Sequence, residues 1–461
     1  MTGISSLGIG SGLDLNALVK NLVNAQRAPQ ERQFDRREAT LTGQLSAFGK
    51  LRGSISDLSS SLDGLRNLTP GRSVNSTNSS AVTGTASNDA PIGSFLVDVN
   101  NLASAQSLAS DSFSSRTDPF GQGTLNITLG DGTTTEVVIG EDDDSLEGIR
   151  DAINNADIGV SAVIVNDGSG FTLALSGNQT GLDNRIAEIS VVEDGAPGLA
   201  QLAFSESGGP SELSQTQAAA DAQISVNGLV ITSPTNQFTD VVDGVTINAR
   251  AETTTAATVR VSENRGQVRQ ALQAFVEAFN AFNKTSRDLT KFDPEADKAS
   301  ILTGDSTVRN AATALRRTVT DPVGGDLESA FRSLAEIGIT GSTNGDLSID
   351  NARLDQALDE NFQDVVNLAK AFGGNARDVA QRFSGSGGLI SARTDGIQER
   401  LERITDARAR LDSRIELLEA RLTKQFAGLD SLLSDLSRQG DFLQQQLSNI
   451  PQPGQLNRNR R

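Results

Sequence analysis

Several residue types on which enzymes depend are missing from this sequence. Its 461 residues include no Cys, His, Trp or Tyr. Without His the chain lacks the commonest general base and metal ligand near neutral pH, and without Cys it has no thiolate nucleophile, zinc–thiolate site or disulfide. Carboxylates, Lys or Ser can still support catalysis, so the composition disfavours an enzyme without excluding one. We expect no catalytic residue, no cofactor and no metal.

Long apolar runs are absent as well. No stretch approaches the roughly 20 apolar residues that span a bilayer, so we expect no membrane insertion. Residues 1–8 have neither the basic region nor the apolar region of a cleaved signal peptide. If the protein leaves the cell, we therefore expect a route without such a peptide.

Positive charge is scarce in the middle of the chain. Residues 117–255 contain 21 acidic side chains against three basic ones, which equals the net charge of −18 of the whole sequence. Because phosphate recognition needs clustered Lys and Arg, we expect no binding to nucleic acid or to an anionic membrane. An exposed, solvated surface is the interpretation that we prefer.

The N-terminal end shows the apolar spacing of long helices. A capping pattern at Ser11 and Asp14 precedes an apolar stripe that Pro29 interrupts. Two interleaved sevenfold series follow, as in the a/d seam of a coiled coil. The first series is Phe34, Leu41, Phe48, Ile55 and Leu62, and the second is Leu51, Leu58 and Leu65.

The C-terminal end repeats this signal over a longer stretch. One series contains Ile397, Ile404, Leu411 and Leu418, is interrupted at Gln425 and resumes at Leu432. The other contains Leu401, Ile415, Leu422, Leu429, Leu436 and Leu443 and is interrupted at Arg408. Polar residues at seam positions lower stability but can fix register and partner number. The two ends together are our candidate coiled-coil seam.

Neither seam can bury its apolar edge alone, which predicts a stalk built from both ends of the chain. We expect the N-terminal helices to pack against the C-terminal helix, with the middle of the chain looped out as an insertion. An ordinary intramolecular bundle explains the periodicity as well as self-association does, so both interpretations remain open.

Between the seams, alternating apolar residues predict strands. Residues 120–192 read as a ββαββ unit, and Asn227-Gly228 predicts a hairpin with a type I′ turn. Helical spacing returns at Gln267, and a further helix is predicted near Asp305. The sequence therefore predicts an α+β fold.

Three features resemble chemical sites but fit simpler explanations. The glycine-rich segment 8–12 follows no strand and lacks the last glycine of a dinucleotide loop, which favours a linker. The acidic run 141–144 fits no calcium loop and precedes a predicted helix N-terminus, where acids are favourable. Glu193 and Asp194 could pair in a glycosidase, but the chain has no Trp or Tyr to stack on a sugar.

Seven short blocks are spread along the chain. They are SSLGIGSGLDL at 5–15, ISVNG at 224–228, LTGDSTVR at 302–309, LAEIGIT at 334–340, DLSID at 346–350, SARTDGI at 391–397 and KQFAGLD at 424–430. Together these blocks resemble the flagellar filament capping protein family, also called flagellar hook-associated protein 2. The similarity covers nearly the whole chain and is weakest at 120–212.

The resemblance implies a three-part architecture. Both ends would form a helical coiled-coil leg, next to a mixed helical and β domain, with an antiparallel, acidic β head of two subdomains inserted. The implied segments are 1–43 (leg), 44–82 (helix of the mixed domain), 83–118 (inner head), 119–212 (outer head), 213–254 (inner head), 255–395 (mixed domain) and 396–461 (C-terminal leg and tail).

The resemblance also implies a function without catalysis. Such a protein would be exported through the flagellar type III channel and would form a small ring, a pentamer, at the distal tip of the flagellum. There it would help flagellin to fold and polymerise and prevent its loss to the medium. The implied partners are the chain itself, flagellin, the hook–filament junction proteins and an export chaperone at the C-terminal helix.

Other functions stay open at this point. Flagellins and hook–filament junction proteins share helical ends and a β middle. An adhesin whose acidic head binds a host surface or mucin is a second alternative, either beside the cap role or instead of it. A wall-cutting enzyme is a third, for which we can name no catalytic carboxylate.

Overall fold

A computed structural model describes residues 14–166, 168–195, 197–295, 297–324 and 329–448. The glycine-rich segment, Ser11 and most of the opening block lie outside the described residues, as does the tail after residue 448. The α-helices are α1 (Leu15–Arg66), α2 (Leu146–Asn155), α3 (Arg265–Thr290), α4 (Ser306–Thr320), α5 (Asn351–Glu360), α6 (Phe362–Ser384) and α7 (Leu389–Ser448). The β-strands are β1 (Arg72–Ser76), β2 (Val82–Ala86), β3 (Gly93–Asn101), β4 (Ser107–Ala109), β5 (Gly123–Leu129), β6 (Thr134–Ile139), β7 (Val160–Asn166), β8 (Phe171–Gly177), β9 (Ile186–Glu193), β10 (Phe204–Ser205), β11 (Ser214–Gln217), β12 (Ala222–Val226), β13 (Leu229–Ser233), β14 (Gln237–Val242), β15 (Val245–Ala249), β16 (Ala257–Glu263), β17 (Phe292–Asp293), β18 (Lys298–Ala299), β19 (Ile339–Gly341) and β20 (Leu347–Ile349).

The described chain folds into two compact units. The first combines residues 14–68 with those from 270 onward, and the second contains residues 69–269. The α+β class, with antiparallel sheets and a long C-terminal helix, is confirmed. The finer division into seven segments stays a prediction. In the part of the chain that the structure describes, no helix combines the length and the apolarity that crossing a membrane requires.

Helix α1 continues through Pro29, where the sequence predicted an interruption. Asp14 caps the helix, its Oδ1 accepting the Ala17 N–H at 2.9 Å. A proline inside a helix removes one backbone hydrogen bond, and buried side chains on both sides of Pro29 offset that cost. The helix ends at Arg66 and is followed by strand β1. The resemblance implies a helix for segment 44–82, and only its residues up to Arg66 are helical.

Three phenylalanines of α3 lie in the core of the first unit. Phe275, Phe279 and Phe282 are at most 2% exposed, as their helical spacing predicts. The ring of Phe275 meets that of Phe372 of α6 nearly edge-on, with centroids 4.9 Å apart. Asp305 caps α4 at the predicted start. Helix α1 packs against both α6 and α7, which completes this unit.

Two four-stranded sheets share one core in the second unit. Their strand orders are β10-β9-β5-β6 and β11-β4-β8-β7, and α2 packs against the same core. The predicted order of two strands, a helix and two strands is present. The hairpins β5–β6 and β7–β8 nevertheless belong to different sheets, because the connection through α2 carries the chain from one sheet to the other.

A separate core lies between a five-stranded and a three-stranded sheet, with orders β1-β16-β3-β12-β13 and β14-β15-β2. Strands β12 and β13 form the predicted hairpin, and Asn227 and Gly228 have φ angles of 49° and 87°, as a type I′ turn requires. Strands β1 and β16 lie outside segment 83–254, which the resemblance assigns to the head. They still belong to this sheet, because β16 pairs with both β1 and β3.

Candidate functional site

The terminal helices α1 and α7 pair through a small apolar cluster in the first unit. Val19 and Val23 of α1 are buried against Leu411 and Ile415 of α7. Phe34, Leu418, Leu422 and Phe426 lie around this cluster and are partly buried. The predicted contact between the two ends of the chain is therefore present in a single molecule.

Ion pairs flank the apolar cluster. Arg27 Nη2 lies 2.6 Å from Asp412 Oδ1, and Arg408 Nη2 lies 2.7 Å from both Asp35 Oδ1 and Glu38 Oε2. Arg408 is the residue that interrupts the predicted seam. Exposed pairs of this kind stabilise a protein by about 0–1 kcal/mol each, so we assign them to the register of the two helices more than to stability.

The predicted seam residues fall into three groups by exposure. Those that are buried are Phe48, Leu51, Ile55, Leu58, Leu62, Leu65, Ile397, Ile404, Leu411 and Ile415. Those of intermediate exposure are Phe34, Leu41, Leu401, Leu418 and Leu422. The remaining four, Leu429, Leu432, Leu436 and Leu443, are 47%, 61%, 61% and 60% exposed. The structure thus covers the seam up to Leu422 and leaves its last residues uncovered.

The uncovered part of α7 presents an apolar stripe with a gap between Leu436 and Leu443. Its members share one helix face, with the adjacent Leu432 and Leu433 at the two edges of the stripe. They are Leu429, Leu432, Leu433, Leu436, Leu443 and Leu447. At 1.5 Å per residue, the part of α7 after Phe426 is on the order of 30 Å long. An exposed apolar stripe of this length marks an interaction surface.

A basic groove, which the sequence did not reveal, lies beside the paired section of the helices. It has a volume of about 660 Å³ and contains four arginines, Arg36 and Arg37 from α1 and Arg400 and Arg403 from α7. Its apolar lining includes Phe34, Leu41 and Ile404. Such a groove can bind acidic and apolar side chains together. The arginines come from distant parts of the chain, so no local sequence motif predicts the groove.

Two of the acidic residues considered as chemical sites, Glu193 and Asp144, make structural contacts. Glu193 Oε1 accepts the N–H groups of Gly198 and Ala200 at 2.8 and 3.1 Å, and these two bonds hold the pKa of Glu193 below its ordinary value. A carboxyl group with a lowered pKa is poorly suited to act as a general acid. Asp144 Oδ2 accepts a hydrogen bond from Gln122 Nε2 at 3.2 Å. Among the described residues, no group of three or more carboxylates is placed to hold a metal ion.

Comparisons with known proteins cover nearly the whole chain. Residues 11–106 match the sequence model of the flagellar hook-associated protein 2 N-terminus, and residues 219–438 match that of its C-terminus. The A-type flagellar hook-associated protein 2 of Pseudomonas aeruginosa is 33% identical, over 96% of this chain and 97% of that protein. The flagellar hook-associated protein 2 of Escherichia coli is 30% identical, over 97% and 99%.

A solved structure is similar as well. The crystal structure of three domains of the flagellar cap protein from Escherichia coli aligns with a TM-score of 0.57 and 29% identity, over 76% of this chain and 99% of that one. The chain belongs to the flagellar hook-associated protein 2 family.

Proposed function

We propose that this protein caps the distal end of a bacterial flagellar filament. In this role it retains arriving flagellin and promotes its folding and polymerisation, without catalysing a reaction. The observation that carries the proposal is the similarity of nearly the whole chain to flagellar hook-associated proteins, together with the similarity of its fold to the flagellar cap protein from Escherichia coli.

The proposed architecture follows the seven segments set out from the sequence. The terminal helices form a coiled-coil leg, and their seam continues from the buried Leu411 to the exposed Leu443. The two β cores of residues 69–269 are the inner and outer parts of the acidic head. The acidic charge of the head keeps it solvated at the outer end of the filament.

Self-association into a small ring, a pentamer, is the assembly that we propose. The exposed leucine stripe of α7 supports it, because an apolar helix face of this length is stabilised when a second helix covers it. In the same account, flagellin and the hook–filament junction proteins contact the assembled leg. An export chaperone covers the stripe before the protein passes through the flagellar type III channel.

Immunogold electron microscopy of intact filaments tests the proposed position. The antibody is raised against the outer part of the head, residues 119–212. A single cluster of gold particles at the distal end is the expected result. Label along the filament would instead indicate a flagellin, label beside the hook a junction protein, and label on the cell body an adhesin, and each of these results would overturn the cap proposal.

A further inference from the structure

Two of the sequence blocks meet on helix α3 in the first unit. Asn283 of α3 is fully buried and donates from Nδ2 to Asp346 Oδ1 at 2.7 Å. One helical turn later, Arg287 donates to Asp346 Oδ2 at 3.0 Å and to the Asn344 carbonyl at 2.8 Å. The block 346–350 is thereby tied to α3, and the block 302–309 enters α4 nearby.

Arg316 of α4 also belongs to this network, and one of its guanidinium N–H groups has no partner within it. Its Nη2 donates to Asn283 Oδ1 at 2.6 Å. Its Nε is buried and has no hydrogen-bond partner among the described residues. A Cβ atom added at Gly345, where φ is 79°, would lie 2.9 Å from that Nε, so the glycine allows the guanidinium to lie against the backbone. The buried Nε therefore lies against the Gly345 backbone.

A cavity of about 260 Å³ opens beside Arg316 and is lined by three arginines, Arg287, Arg309 and Arg316. Arg309 and Arg316 are seven residues apart on α4 and therefore share one face. Ser286, which also lines the cavity, is only 5% exposed.

The acidic groups near the cavity are already paired. Asp305, which lines it, caps α4 through Oδ1 and lies 3.2 Å from Arg393 Nη2 through Oδ2. Asp346 is paired with Arg287. Arg309 is exposed. Three arginines and one aspartate, Asp305, therefore line the cavity, which leaves an excess of positive charge.

We propose that this cavity is a binding site for an oxyanion, either a free phosphate ion or the carboxylate of an acidic protein segment. Arg309 and Arg316 supply planar guanidinium groups suited to both anions, and the Ser286 hydroxyl supplies a further donor. The volume is below the roughly 300–1,000 Å³ of pockets for drug-sized ligands, so the site accommodates a single anionic group and not a nucleotide. The inference goes beyond the proposed function and does not depend on it.

Isothermal titration calorimetry of the full chain in a buffer free of phosphate and sulfate tests the site. Sodium phosphate is titrated in one arm, and a blocked peptide that copies residues 139–146, which include the acidic run, in the other. Arg309→Gln should raise the dissociation constant about tenfold, since the loss of one hydrogen bond to a charged group weakens binding by about this factor. Ser286→Ala should weaken it less, and circular dichroism checks that both variants are folded.

Arg317→Gln is the matched control, because Arg317 follows Arg316 on α4 but lines a different cavity. It should bind like the wild type. Binding of phosphate alone assigns the site to the free ion, and binding of the peptide assigns it to a protein carboxylate. The proposal is overturned if neither ligand binds, or if Arg317→Gln weakens binding as much as Arg309→Gln does.

Discussion

Two neighbouring glycines of α6 have opposite surroundings. A Cβ atom at Gly373 would lie 2.7 Å from the Arg66 nitrogen and 2.8 Å from the Leu62 carbonyl oxygen, both in the backbone of α1. A Cβ atom at Gly374 would meet no atom within 4 Å. The first glycine is therefore needed for the close packing of α6 on α1, whereas the second is not.

We predict that Gly373→Ala and Gly374→Ala change stability in opposite directions. Gly373→Ala should lower the free energy of unfolding by about 1–3 kcal/mol, because the backbone of α1 must move. Gly374→Ala should raise it by about 0.5–1 kcal/mol, since alanine has the higher helix propensity. Urea denaturation of the two variants measures both changes, and a shift of the same sign in both would contradict the packing described here.

Asp346 should make stability depend on pH. Its hydrogen bond from Asn283, together with Arg287, holds the pKa of Asp346 below its ordinary value of 3.8 against the opposing effect of partial burial. Because the folded state then favours the ionised carboxylate, this stabilisation is complete above the unfolded pKa and is lost as the pH falls through the folded one.

The substitution Asp346→Asn tests that dependence. At pH 7 it should lower the free energy of unfolding by about 1 kcal/mol, below the usual range for bonds to a charged group because the carboxylate is partly exposed. Below pH 3.8, the free energies of unfolding of the variant and the wild type should become more similar. Denaturation between pH 7 and pH 2 provides the measurement, and a difference that stays constant over that range would show that the carboxylate charge has no such role.

At the scale of the elements, the exposed stripe of α7 carries the prediction about assembly. The double variant Leu436→Ser and Leu443→Ser should weaken self-association at least about tenfold, since each loses apolar area from a helix contact. Both side chains are about 60% exposed in the single chain, so the stability of the monomer should change little. Sedimentation velocity over a range of concentrations measures the association.

Arg438→Ser combined with Gln445→Ser is the control for this experiment. These two residues have the same sevenfold spacing and lie on the opposite face of the helix, where both are exposed. This variant should associate like the wild type. Equal association of the leucine variant and the control would remove the stripe from the assembly surface.

The sequence predicts best those elements in which an apolar repeat continues over many residues, or in which the turn residues are typical of one turn type. The sevenfold series of α1 and α7 and the Asn227-Gly228 hairpin are of this kind. What periodicity cannot supply is the packing partner. The series from Phe48 to Leu62 was expected to pack on α7, yet near Leu62 helix α1 packs closely on Gly373 of α6, because an apolar face fits any complementary surface.

At the scale of the whole molecule, the pairing of the terminal helices was accessible from the sequence, but the arginine sites were not. This pairing follows from one repeated local pattern. The oxyanion cavity depends on Asn283 and Asp346, which are 63 residues apart, and on arginines of two helices. In the sequence, single arginines on helices look like ordinary surface residues. Only the fold shows that these arginines line the same cavity.

The proposed cap function is tested most directly by deleting the gene in its own bacterium and measuring where flagellin is found. Centrifugation of the medium separates filaments from unpolymerised flagellin, and immunoblotting quantifies both. We predict that flagellin moves from the pellet to the supernatant in the deletion strain and returns to filaments when the intact gene is restored. Filaments of normal length and amount in the deletion strain would contradict the proposed cap function.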